Sequence, residues 1–211
     1  MNKLKESELL RSFAGFFLLF LLFVGLFIFV VPSTHQSSKI AEKIKSIKNE
    51  KVTYVAIGDS LTQGVGDSSN QGGFVPVLSQ ALESDFDWQV TSRNYGIAGN
   101  TSNQILKRMQ EKKDIQRDLK KAKVMTLTVG GNDVIHVIKD NITNLNVDTF
   151  TKPAQAYQKR LGQIIELARK DNKTLPIYIV GIYNPFYLNF PEMTEMQTIV
   201  DNWNQSTEEV C

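Results

Sequence analysis

Apolar and polar positions change their period repeatedly once the chain passes residue 50. Lys51–Ile57 (KVTYVAI) is a β-branched, apolar run that predicts a buried strand. Gly73–Asp85 then carries apolar residues at helical spacing, Trp88–Tyr95 reads as a second strand, and Ser102–Lys121 as a helix rich in charge. Val124–Val129 is a third strand. Pro153–Asp171 forms a helix with Leu161, Ile164, Ile165 and Ala168 on its apolar face, and Leu175–Ile182 is a fourth strand. Pro191 opens a last helix holding Met193, Met196, Ile199, Val200 and Trp203. Strands alternating with helices predict a parallel sheet covered by helices on both faces, an α/β fold.

The pattern before residue 51 is of another kind. Phe13–Val31 is an uncharged apolar run of 19 residues. At about 1.5 Å per helical residue it matches the roughly 30 Å hydrocarbon layer of a bilayer. A cleaved signal peptide is the competing reading, but its apolar region is shorter and ends in a small-x-small site, which Val-Val-Pro-Ser-Thr-His does not offer. Lysines and arginines flank the run on both sides, so charge does not orient it. The short basic head is the usual layout of a signal anchor. The expected organisation is a cytoplasmic head over 1–12, a transmembrane signal anchor over 13–31, a linker or stalk over 32–50 and one α/β domain over 51–211. Ile40, Ile44 and Ile47 give the stalk a helical stripe. The expected localisation is the cell membrane, single-pass, with the domain extracytoplasmic and the lipid bilayer as a partner.

Composition narrows the chemistry. The formal net charge is +2, which gives no electrostatic footprint for nucleic acid. A single cysteine, Cys211, excludes an internal disulfide and a cysteine-based zinc site. No cofactor and no metal are expected.

Candidate chemistry gathers at the predicted strand ends. Gly58-Asp-Ser-Leu-Thr-Gln-Gly64 follows the first strand, and it places Ser60 beside a helix N-terminus whose free N–H groups attract negative charge. The plainer reading is that Asp59 and Ser60 only cap that helix. Asn94-Tyr-Gly-Ile-Ala-Gly-Asn-Thr-Ser102 follows the second strand, with glycines at 96 and 99 that also suit ordinary turns. Gly130-Gly-Asn-Asp133 follows the third. In a sheet of order 2-1-3-4-5 the first and third strands flank the crevice where ligands bind. Ser60 and Asn132 then face each other with Gly99 beside them. The N–H groups of Ser60 and Gly99 and the amide of Asn132 would supply three donors to an oxyanion.

Together these blocks resemble the SGNH, or GDSL-type, serine hydrolases, in particular the membrane-anchored bacterial lipase/acylhydrolase branch called lysophospholipase L1-like. The resemblance covers roughly residues 51–205. It implies a three-layer α/β/α, flavodoxin-like parallel sheet, with Ser60 as nucleophile and Gly99 and Asn132 in the oxyanion hole. Gly58, Asp59 and Asp133 would be supporting motif residues. It also implies an acyl ester substrate, a lysophospholipid or a cell-envelope ester, and no metal.

The family's fourth motif, Asp-x-x-His after a fifth strand, is missing. His35 precedes the domain, and Asp133-Val-Ile-His136 has the right spacing in the third block rather than the fourth. His136 is therefore an unlikely substitute, and the general base and its aspartate are absent from these residues. The expectation is a hydrolase fold lacking its last strand and helix, shortened by early termination, frameshift or a cut boundary, and inactive or weakly active. The alternative is a non-catalytic, membrane-tethered module that binds acyl or glycan ligands.

Overall fold

The structure is a computed structural model that describes residues 50–141, 143, 146–184 and 194–211. The expected head, anchor and stalk lie outside the described residues. Among the described residues no helix is long and apolar enough to cross a membrane.

Four parallel strands form the sheet in the order β2-β1-β3-β4. They are β1 (Lys51–Gly58), β2 (Gln89–Gly96), β3 (Ala122–Thr128) and β4 (Ile177–Val180). Parallel neighbours need crossovers, and helices supply them. Between β1 and β2 run α1 (Ser60–Gln63) and α2 (Phe74–Phe86), and between β2 and β3 run α3 (Ser102–Glu111) and α4 (Lys113–Lys121). α5 (Gly131–Asp140), a short 3₁₀ turn (Val147–Phe150) and α6 (Thr151–Ala168) lead to β4, and α7 (Thr194–Glu208) follows it.

β1 lies inside the sheet because its sequence is apolar on both faces. Tyr54, Val55, Ala56 and Ile57 are fully buried. Val55 and Ile57 join the larger core with Ile105, Met109, Met125, Leu161 and Trp203. Tyr54 and Ala56 face the opposite way, onto Val75 and Val124, where Phe74, Leu78 and Leu82 of α2 pack. Each fully buried side chain of this size stabilises the fold by about 1.5–3 kcal/mol. The register aligns Gly58 with Gly96, so the first two motifs start from the same level of the sheet.

Three elements differ from the sequence reading. The helix expected over Ser102–Lys121 is two helices, because Lys112 is extended at φ −91° and ψ 108°. The fourth strand shrinks from Leu175–Ile182 to Ile177–Val180. The Gly-Gly-Asn-Asp block opens a ten-residue helix, α5, that the sequence pattern did not mark.

Candidate active site

Ser60 is the first residue of α1, directly beyond the carboxyl end of β1. The turn that puts it there depends on close packing behind it. A methyl group on Gly58 would collide with the side chain and carbonyl of Thr128 and with the Thr62 hydroxyl. Asp59 caps the helix: its Oδ1 accepts from the Leu61 N–H at 3.0 Å and from the Thr128 hydroxyl at 2.8 Å. The Asp59 N–H donates to Thr128 Oγ1 at 3.2 Å, and the Thr62 and Thr128 hydroxyls meet at 2.8 Å. Asp59 is buried and committed to this strut. The Ser60 N–H, as the first of the helix, has no partner among the described residues.

Beyond β2, the loop Ile97–Thr101 is tied to the same turn. Ile97 N–H donates to Gly58 O at 3.0 Å, Ala98 N–H to Gln63 Oε1 at 2.6 Å, and Asn94 Nδ2 to Thr62 O at 2.7 Å. Gly99 sits at φ +78°, a conformation that favours glycine, with open space where a side chain would be. Its N–H also lacks a partner among the described residues.

Arg108 of α3 reaches beneath this loop. Its Nε donates to Asn100 Oδ1 at 2.8 Å, Nη1 to Tyr95 O at 3.0 Å and Nη2 to Gly58 O at 3.3 Å. Among the described residues no carboxylate pairs with it. Burial lowers its pKa. Nearby, Tyr95 is pushed up to about 12, first by burial and then by its hydrogen bond to Asp118 and the charge there.

Asn132 occupies the first turn of α5, beyond β3. Its Nδ2 donates to Asn100 O at 3.0 Å, which uses one of the two amide hydrogens. Asp133 points away into the protein, where it accepts from the Ser102 N–H at 2.8 Å, from the Ser102 hydroxyl at 2.6 Å and from Arg160 Nη2 at 3.2 Å. Arg160 Nε in turn donates to Ser102 Oγ at 2.7 Å. This triad, with Ser102 and Asp133 buried and Arg160 half-buried, joins α3, α5 and α6.

A cavity of about 460 Å³ opens between α1, α5, α7 and the end of β4. Ser60 and Asn132 both line it, with Leu61, Val134, Ile135, Ile138, Met196 and Val200 forming much of an apolar wall. Gly99 is not among its lining residues, and it connects to the site through Asn100 and Asn132. His136 lines a different, polar cavity with Asp133, Asp140 and Arg160. The ring donates from Nδ1 to Asn132 O at 2.7 Å, since a carbonyl only accepts. Among the described residues no cluster of three or more histidine, cysteine, aspartate or glutamate side chains is placed to hold a metal.

Sequence reading did not single out Asn100, Arg108, Thr62 or Thr128. Arg108 is one of many charges on a polar helix, and nothing in the one-dimensional pattern separates it from Lys107.

The profile of the GDSL-like Lipase/Acylhydrolase family matches residues 56–211, from within β1 through all three motifs. The chain belongs to this family. The uncharacterized protein YpmR of Bacillus subtilis is 33% identical over 178 residues, which is 83% of this chain and 69% of that protein. The spore germination lipase LipC of Bacillus licheniformis is 30% identical over 138 residues, 63% of this chain and 64% of that protein. The chain thus spans about two thirds of the length of each of these relatives. Among solved structures, the lipase Lip_vut3 from a goat rumen metagenome superposes with a TM-score of 0.67 at 25% identity over 75% of both chains. The acetyl xylan esterase AlAXEase shares the fold, with a TM-score of 0.52 at 20% identity over 75% of this chain and 72% of that one. The parallel sheet and its helices are those of the SGNH hydrolase fold.

Proposed function

We propose that this GDSL-like protein is built for serine-dependent acyl transfer from an ester, with Ser60 as the nucleophile. One observation carries the reading: Ser60 and Asn132, from separate strand ends, line one largely apolar cavity, and the Ser60 N–H has no partner among the described residues. In this reading Ser60 Oγ attacks the ester carbonyl. The negative charge on the carbonyl oxygen meets the Ser60 and Gly99 N–H groups and the remaining hydrogen of Asn132 Nδ2. The alcohol leaves as the acyl–serine ester forms, and water then releases the acid. Gly58 and Asp59 fix the turn, and Asp133 fixes the helix that presents Asn132.

The proton on Ser60 Oγ needs an acceptor, and no histidine shares its cavity among the described residues. Loss of one triad member lowers kcat by about 10⁴–10⁶, with residual catalysis from the oxyanion hole. These 211 residues are accordingly read as inactive or weakly active. The apolar wall suits an acyl chain, which favours a lysophospholipid over a cell-envelope sugar ester. The apolar run Phe13–Val31 supports a membrane anchor, and the short basic head before it supports an extracytoplasmic domain.

That no histidine among the described residues lines the cavity of Ser60 also favours a second reading, a non-catalytic module that holds acyl or glycan ligands in the same cavity. A fluorophosphonate probe separates the two. Labelling that maps to Ser60, however slow, and disappears in Ser60→Ala supports the nucleophile, and no labelling even on prolonged exposure, alongside acyl-chain binding, supports the module. Rapid Ser60-dependent hydrolysis of a p-nitrophenyl ester would overturn the proposed impairment.

A further inference from the structure

We infer that Arg108 is the positioning residue of the oxyanion site, holding all three proposed donors in register through its contacts with Gly58 O, Tyr95 O and Asn100 Oδ1. The inference rests on the reading of Ser60, Gly99 and Asn132 given above. Ser60 and Gly99 sit one or two residues from a group that the guanidinium holds, and Asn132 is held by the main-chain carbonyl of Asn100, whose side chain the guanidinium holds. Gly58 precedes Ser60 by two residues, so its carbonyl sets where the turn into α1 begins. Asn100 follows Gly99, so fixing its side chain fixes the peptide that presents the Gly99 N–H. Asn100 O then accepts from Asn132 Nδ2, which orients the amide from the third strand end.

A planar fork with five N–H donors can brace three acceptors at once, and a lysine ammonium cannot reproduce that geometry. The acceptors are two main-chain carbonyls and one amide oxygen, all uncharged. Arg108 therefore keeps a net positive charge beneath the site instead of surrendering it to a carboxylate. Half-buried, that charge is screened less than a surface one, so it favours negative charge developing above it. The direction of its pKa shift fits a cation held without a counter-ion.

The test uses the full chain and hexylboronic acid, whose boron takes the Ser60 oxygen as a fourth ligand. The B–O bond forms, the hydroxyl proton passes to buffer, and the tetrahedral boronate carries the negative charge that an oxyanion would. Boron-11 NMR titration reads the adduct, and n-hexanol competition against a fluorescent fatty acid reads chain binding alone. Arg108→Lys is expected to weaken the boronate adduct roughly tenfold or more while leaving hexanol affinity unchanged. Asn100→Ala, which removes only the Nε contact, is expected to weaken it in the same direction and to add little to Arg108→Lys in the double variant. Circular dichroism checks that each variant is folded, and Asn100→Ala decides the matter if Arg108→Lys is not. Wild-type boronate affinity in folded Arg108→Lys, or equal losses for boronate and hexanol, would overturn the positioning role. No adduct in the wild-type chain would instead overturn the nucleophile reading, and this inference with it.

Discussion

Asn132 Nδ2 donates to the main-chain carbonyl of Asn100 at 3.0 Å, so the third motif is tied to the second through a side chain rather than through the sheet. This hydrogen bond leaves one amide hydrogen of Asn132 for a ligand and fixes the plane in which it points. Asn132→Ala should therefore slow fluorophosphonate labelling of Ser60 by about 10²–10³-fold, the usual effect of removing one oxyanion donor. The thermal midpoint should move little, because Asn132 is only part-buried and one net hydrogen bond is worth about 1 kcal/mol. Labelling kinetics by mass spectrometry, with melting curves alongside, checks both halves.

Gly58→Ala should be strongly destabilising. The added methyl meets the Thr128 side chain, the Thr62 hydroxyl and, at 2.7 Å, the Thr128 carbonyl. Overpacking of this kind costs about 1–3 kcal/mol or more. Thr128→Ala should not rescue it, because the carbonyl remains and the Asp59 strut is lost as well. Urea denaturation of the two single variants and the double variant decides this.

Asp133→Ala should lower stability by about 1–3 kcal/mol, because it leaves half-buried Arg160 without its partner and buried Ser102 without its acceptor. Asp133→Asn keeps the shape and should lose less. Replacing the pair together, Asp133→Leu with Arg160→Met, should recover part of the loss. A chemical denaturation series compares the three.

Asp67 predicts a pH dependence. Its carboxylate accepts from the Ser69 hydroxyl and from the N–H groups of Gly73, Ser69 and Gln71, which hold its pKa well below the usual carboxylate range. A depressed carboxylate contributes stability above its unfolded value, near 4, and loses it as pH falls through the folded value. Asp67→Asn should therefore melt lower than the parent at pH 7, and the gap should narrow steadily below about pH 4. A constant gap down to pH 2 would show that the loop does not depend on this charge.

Much of the sheet was legible because its strands are short apolar runs with β-branched residues. Tyr54 to Ile57, buried on both faces, reads correctly as a central parallel strand. The break at Lys112 was harder, since neither glycine nor proline marks it. The only trace is a phase slip between Met109 and Ile115, which no single helical face accommodates. Strand β4 shortens because Pro176 has no N–H to give, although its carbonyl still accepts from Met125 at 3.0 Å. The strand-end positions of Ser60, Gly99 and Asn132 were readable because each follows a strand, and the structure brings Ser60 and Asn132 to the lining of one cavity. Arg108 was not readable, because its importance lies in which carbonyls the fold brings within its reach. Likewise, only the structure separates the cavity of Ser60 from the one that His136 lines.

The outer strand β4 has β3 as its one neighbour among the described residues, and Tyr178 and Val180 stand 63% and 43% exposed on it. With no partner strand on that side among the described residues, an edge with apolar side chains is a template on which other copies can add in register. Handling of the purified protein should thus be governed by colloidal behaviour as much as by folding, with turbidity rising with concentration while the melting midpoint holds. A single lysine at position 178 would repel such growth and leave the chemistry around Ser60 untouched.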